Sequence, residues 1–239
     1  MAPRTPLFRP DRFFAEREFH AGRILAVFGL VLASGLVTVY GVGYLMVTHI
    51  DGTVLVDNPD RPPEVVCDTG MNSSLYNESN CAAPEEIEQN VDPIIWDAIE
   101  RLAGVMLGGL LLLIAGLSVI LHVGSWLAGG TNGGAESFAV TVWGLAPTLF
   151  VAPIGVLALS VLIEPVTLSA AQDPASAFSG VERRIRANQW IGSTLTAASS
   201  VWSGVIWRFG LEHKRGLDGA EATALAGAVA LLFLLVGAL

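Results

Sequence analysis

The chain has 239 residues, 52% of them hydrophobic, and a formal net charge of −9; its mean hydropathy is +0.58. An ordinary soluble domain is excluded by that balance. Nucleic-acid binding is disfavoured, because no basic stripe exists beyond the short N-terminus.

Five long apolar stretches set the fold class. They lie near 24–47, 102–121, 137–163, 190–211 and 218–238. A hydrocarbon core about 30 Å thick takes roughly 20 apolar residues of helix to cross. Within lipid, backbone N–H and C=O groups must be bonded inside the segment, so such runs become helices. The expected molecule is an all-α integral membrane protein. It is a five-helix transmembrane bundle with an acidic extracellular loop, 48–101, between helices one and two. Residues 1–23 form a basic, amphipathic cytoplasmic N-terminus, and 24–239 form one membrane domain.

The N-terminus carries Arg4, Arg9, Arg12, Arg17 and Arg23. Residues 10–19 read as a short interfacial helix, with Phe13 and Phe14 dipping into the headgroup boundary and arginines facing phosphates. The first apolar run is too long for a signal peptide and no small-residue cleavage site follows it. It is expected to stay as the first span.

Loop 48–101 holds twelve of the 22 acidic residues and only two cationic ones, Arg61 and Arg101. The whole chain has one lysine, Lys214, against twelve arginines. That pattern suits a salt-loving organism, where carboxylates keep surfaces hydrated. Thr53 to Val56 read as a short strand. Cys67 and Cys81 are the only cysteines, and an even pair on an outer surface reads as a disulfide. Between them, Asn72 and Asn77 head two N-glycosylation sequons. Asp92 and Pro93 mark the next helix start, as N-cap and first helical residue. Trp96 belongs in the aromatic belt.

The Gly129-Gly130 link reads as a flexible turn. In helix three, Pro147 and Pro153 each remove a hydrogen bond, freeing the carbonyls of Trp143 and Leu149. A kink is expected, with the freed carbonyls finding donors on a neighbouring helix. Residues 176–188 form a candidate amphipathic helix in a second outer loop. Helix four carries Ser193, Thr194, Thr196, Ser199, Ser200 and Ser203, which suits close interhelical packing. Ser199, Ser203 and Gly204 are expected against the kinked segment of helix three. Residues 212–216 read as a polar turn before the small-residue fifth helix.

Five arginines precede the first span and no cation follows it for thirteen residues. This places the N-terminus in the cytoplasm and, with five spans, the C-terminus outside the cell. Arg183, Arg184 and Arg186 in the second outer loop run against that assignment.

No catalytic motif is present, and no cofactor or metal is expected. His20, His49, His122 and His213 fall at helix ends, as interface anchors. Partners are the lipid bilayer, other membrane proteins or a second copy of the chain. The alternative is a small transporter or channel for a solute, lined by polar helix four and kinked helix three.

The order of motifs resembles the Yip domain family of five-span membrane proteins, in its prokaryotic, haloarchaeal branch. The residues carrying the resemblance are Arg9 to Phe14, Gly129-Gly130, Ser137-Phe138, Gly144 with Pro147, Trp202 with Trp207, Gly210-Leu211, and 220–230. The resemblance covers 1–47 and 100–239, and the cysteine-bearing loop looks like an insertion. It implies a non-enzymatic protein that organises membrane or partner proteins. Eukaryotic relatives bind small GTPases of the Rab type, partly through long cytoplasmic N-terminal regions. This chain is without such a region, so GTPase binding is not carried over.

Overall fold

The computed structural model describes residues 3–69, 78–131, 133–170, 179, 182–183 and 186–237. Asn72 and Asn77, and most of the expected helix 176–188, lie outside the described residues.

A short helix α1 (Pro10–Glu16) opens the fold, with Pro10 in its first turn, where a missing N–H costs nothing. Helix α2 (Ala21–His49) follows. Strand β1 (Ile50–Asp57) continues from it without a break, so the strand expected at Thr53 to Val56 is longer at both ends. A helical turn α3 (Glu64–Thr69) and a 3-10 turn (Glu78–Ala82) then lead to strand β2 (Glu86–Asn90).

Helix α4 (Val91–Leu127) has 37 residues, roughly 55 Å at 1.5 Å per residue. The Asn90 side chain caps it by accepting from Asp92 N–H. This corrects the expected start: the last residue of β2 supplies the cap, and Pro93 falls inside the first turn. The polar excursion therefore ends at Asn90. The residues up to Arg101 are the first turns of α4, standing beyond its apolar run.

The third apolar stretch is two helices, α5 (Gly134–Gly144) and α6 (Thr148–Leu162). The expected kink is a full interruption at 145–147, and Pro153 sits within α6. Strand β3 (Val166–Leu168) follows, then α7 (Gln189–Arg215) and α8 (Gly219–Gly237).

Among the described residues, three helical segments are long and apolar enough to cross a membrane: Ala21–His49, Val91–Leu127 and Gly134–Leu162. The apolar part of α8, Gly219–Leu235, is shorter. Helix α7 has the length, but its hydroxyls, glycines and charged last turn dilute its apolar character.

The sheet was not foreseen beyond one strand. Its order is β2-β1-β3. β1 runs antiparallel to β2, with Thr53 opposite Asn90, and parallel to β3, with Ile50 opposite Val166. The segment after α2 and the segment after α6 thus meet in one sheet. This sheet end is sealed onto the helices by Val39, Ile50, Val91, Ile95, Ile99, Ala103 and Leu168. The opposite, link end gathers residues 128–131 and 133, the end of α7 and the N-terminal segment. A larger core lies on that side, built around Phe13, Trp143, Ile206, Trp207 and Leu211.

Between Cys67 and Cys81 there is a disulfide, with Cα atoms 5.7 Å apart.

Candidate functional site

The sequence features with most chemical content converge where the third apolar stretch breaks. Gly144 ends α5 because of what faces it: a Cβ there would fall inside the Trp207 indole. Trp207 is fully buried, and its indole N–H donates to the Thr141 carbonyl at 3.4 Å. Pro147 then leaves Trp143 O without its helical donor. That carbonyl accepts from Ala146 N–H at 3.1 Å, closing a 3-10 turn. The expected serine donors are therefore not used: the turn repairs itself, and a tryptophan supplies the interhelical bond.

Ser199 and Ser203 are buried as expected, but neither hydroxyl has a hydrogen-bond partner. Gly204 does not meet helix three. It lies against α8, where a Cβ would come 2.9 Å from the Ala230 Cβ. The glycine closest to the third stretch is Gly210, against Val140 of α5.

Two cavities flank the break. One, about 540 Å³, is lined by α4, α6, α7 and α8 and includes Thr148, Thr196 and Ser199. The other, about 430 Å³, is lined by α2, α4, α6 and α8, including Ser34 and Thr38. They share Leu113, Thr148, Ala152 and Phe233. No residue lining either is ionisable, and alkyl and ring groups make most of both walls.

The N-terminal segment closes the break from below. Phe13 and Phe14 are 1% and 0% exposed, which corrects the expected dip into headgroups. The Phe13 ring lies edge-on to Trp143 at 5.0 Å. Trp202 reaches the same segment, its indole N–H donating to Leu7 O at 2.8 Å and its ring stacked near Phe150. These aromatic side chains gain more from protein packing than from an interface.

The glycine link is a clamp rather than a loose turn. Arg215, 1% exposed, donates from Nε to Ser125 Oγ at 2.8 Å and from Nη1 to Gly133 O at 2.9 Å. Its own carbonyl accepts from Thr131 N–H. Gly129 has φ +85°, and a Cβ on Gly130 would meet Ser125 O at 2.7 Å. Lys214, beside Arg215, donates to Arg17 O at 2.6 Å. Ser137 is buried within reach of His122 Nδ1, at 3.3 Å, and Phe138 meets Phe28 at 5.8 Å. His213 stacks on Phe209.

Sequence reasoning missed the roles of Arg215 and Ser125, and read Gly210 only as a motif residue. Residues 212–216 read as a polar turn, where a cation is expected for topology alone, but the helix runs through them to Arg215 and only Gly216 caps it. The arrangement offers anchoring and shape.

A model of the Yip1 domain matches residues 5–239, the acidic loop included. No curated protein matches the chain, and no solved structure does.

Proposed function

The chain belongs to the Yip1 domain family, and from that premise we propose that it is a non-enzymatic five-span membrane protein that organises membrane or partner proteins. One observation carries this reading. The cavities beside the broken helix are walled mostly by apolar groups and contain no ionisable residue, whereas solute and ion paths through membranes are commonly marked by ionisable side chains or rings of carbonyls. Two buried side chains that carry charge or N–H groups, Arg215 and Trp207, hold helices together. The transporter or channel alternative has no observation in its favour.

In this reading α7 and α8 are the fourth and fifth spans of the cell membrane. The small-residue content of α7 offsets its low hydropathy, because it packs inside the bundle. The link end faces the cytoplasm, and the sheet end with its disulfide faces outward, where disulfides persist. The acidic loop and scarcity of lysine support a salt-adapted, haloarchaeal branch, with sequon glycans on the loop.

Affinity isolation from native membranes, followed by mass spectrometry, tests the role. Reproducible recovery of a membrane protein or of a second, differently tagged copy is expected. Recovery of neither, together with solute flux in vesicles containing the purified protein, would overturn the proposal.

A further inference from the structure

Helices α7 and α8 form the most extensive helix pair in the molecule. They leave a groove of about 360 Å³ along one side. Its floor is made of small residues: Gly204 faces Ala230, and Gly227 is open, with nothing within 4 Å of an added Cβ. Val205 and Leu231 stand among its walls. Arg208 closes one end.

Arg208 has donors to spare. Guanidinium carries five N–H donors in a fixed fork. Its Nε is buried with no hydrogen-bond partner, and the side chain as a whole remains 40% exposed. Its ion pair with Glu212 is loose, at 3.8 Å, beyond hydrogen-bond length, so Glu212 Oε2 accepts no hydrogen bond; the guanidinium carbon lies 4.6 Å over the Phe209 ring, which leaves its N–H edge open. The other carboxylates near the start of α8 are engaged. Asp218 Oδ1 accepts from Ala220 and Glu221 N–H groups, and Glu221 Oε2 accepts from Asp218 N–H. Arg208 lies seven residues before Arg215 on the same helix, about 10 Å along the axis. A cation at that depth, with an apolar trough running away from it into the span, is the complement of a lipid: phosphate at one end, one chain at the other.

We propose that the α7–α8 groove is a phospholipid site, with one lipid tail lying over Gly204 and Gly227 and the phosphate diester on Arg208. The inference rests on the membrane reading above, but not on the organising role. Arg is suited to the phosphate because its planar fork can bond two oxygens at once. The tail fills the groove because, away from Arg208, its walls are almost wholly apolar and the Ser200 and Thr223 hydroxyls already donate to backbone carbonyls.

Native mass spectrometry of the full-length protein in detergent tests this. The probes are dioleoylphosphatidylglycerol, dioleoylphosphatidylethanolamine, dioleoylglycerol and glycerol 3-phosphate. One tightly held molecule of either phospholipid is expected, and neither dioleoylglycerol nor glycerol 3-phosphate should displace it. Arg208→Gln should weaken phospholipid binding about tenfold, and Arg208→Lys by less. Gly227→Leu should abolish binding by filling the trough, with helix content unchanged by circular dichroism. Equal retention of dioleoylglycerol, displacement by glycerol 3-phosphate, or wild-type binding by both Arg208→Gln and Gly227→Leu would overturn the proposal. Failure of the protein to stay with membranes under alkaline extraction would sink the membrane reading instead.

Discussion

Arg215 illustrates how a charge can be structural at the end of a helix. Its guanidinium bonds a side chain and a carbonyl from two sides of the link, Ser125 and Gly133. Its truncation strands the buried Ser125 Oγ, at about 1–3 kcal/mol for an unsatisfied buried group, and frees the carbonyl of Gly133, which is exposed. Arg215→Ala is therefore expected to lower the thermal midpoint in detergent. Arg215→Lys should recover only part of the loss, since one ammonium cannot reproduce the fork. An Arg215→Ala protein as stable as the parent would show that the clamp is ornamental. The opposite sign is expected at Ser199 and Ser203. Their hydroxyls are buried without partners, so Ser→Ala should be neutral or stabilising by up to about 1 kcal/mol. Leucine at both positions should disrupt assembly by volume. At this scale the sequence was partly legible. Serines on α7 announced burial, because small polar residues gain from helix contact and not from lipid. That a 3-10 turn would bond the freed Trp143 carbonyl, and that a tryptophan 66 residues away would bond the neighbouring Thr141 carbonyl instead, was not legible, since neither carries a local signal.

Two elements depend on their neighbours for their form. The third apolar stretch breaks because Pro147 removes a bond and because the Trp207 ring occupies the space beside Gly144. Proline made the location legible. The completeness of the break was not, because it comes from the partner helix. Gly144→Ala is expected to be severely destabilising, and Trp207→Leu in the same chain should recover part of the loss. No recovery in the double variant would mean that the contact between them is not the cause. The acidic loop is the second case. The disulfide closes it across 14 positions, worth about 3 kcal/mol in the chain-entropy model. The base of the loop is fastened independently. Asn58 N–H and its side chain bond Glu85 O and Pro84 O, and Asn80 bonds Asp60 O. Cys67→Ser should therefore raise protease cleavage between 67 and 81 while the β1–β2 pairing survives. Helix α1 was legible as amphipathic, but not as buried. A phenylalanine pair reads the same way against lipid and against a tryptophan on another helix.

At the scale of the molecule, the sheet is the organising fact. Pairing of Ile50 with Val166 holds the segments that follow α2 and α6 together. Helices α4 and α5–α6 therefore begin and end on the same two faces. Apolar length made legible the three helical segments long enough to cross a membrane; the pairing of distant polar segments could not be read from one chain, because strand partners so far apart leave no periodic trace. The central claim is that the link end and the sheet end lie on opposite sides of a membrane. Single cysteines at Asp57, Thr131 and Thr167, each in a Cys67→Ser/Cys81→Ser background, test it with a membrane-impermeant maleimide on sealed cells and on opened ones. Labelling of 57 and 167 on sealed cells, with 131 labelled only after opening, is the expected result. Labelling of 131 together with either of the others on sealed cells would contradict the account.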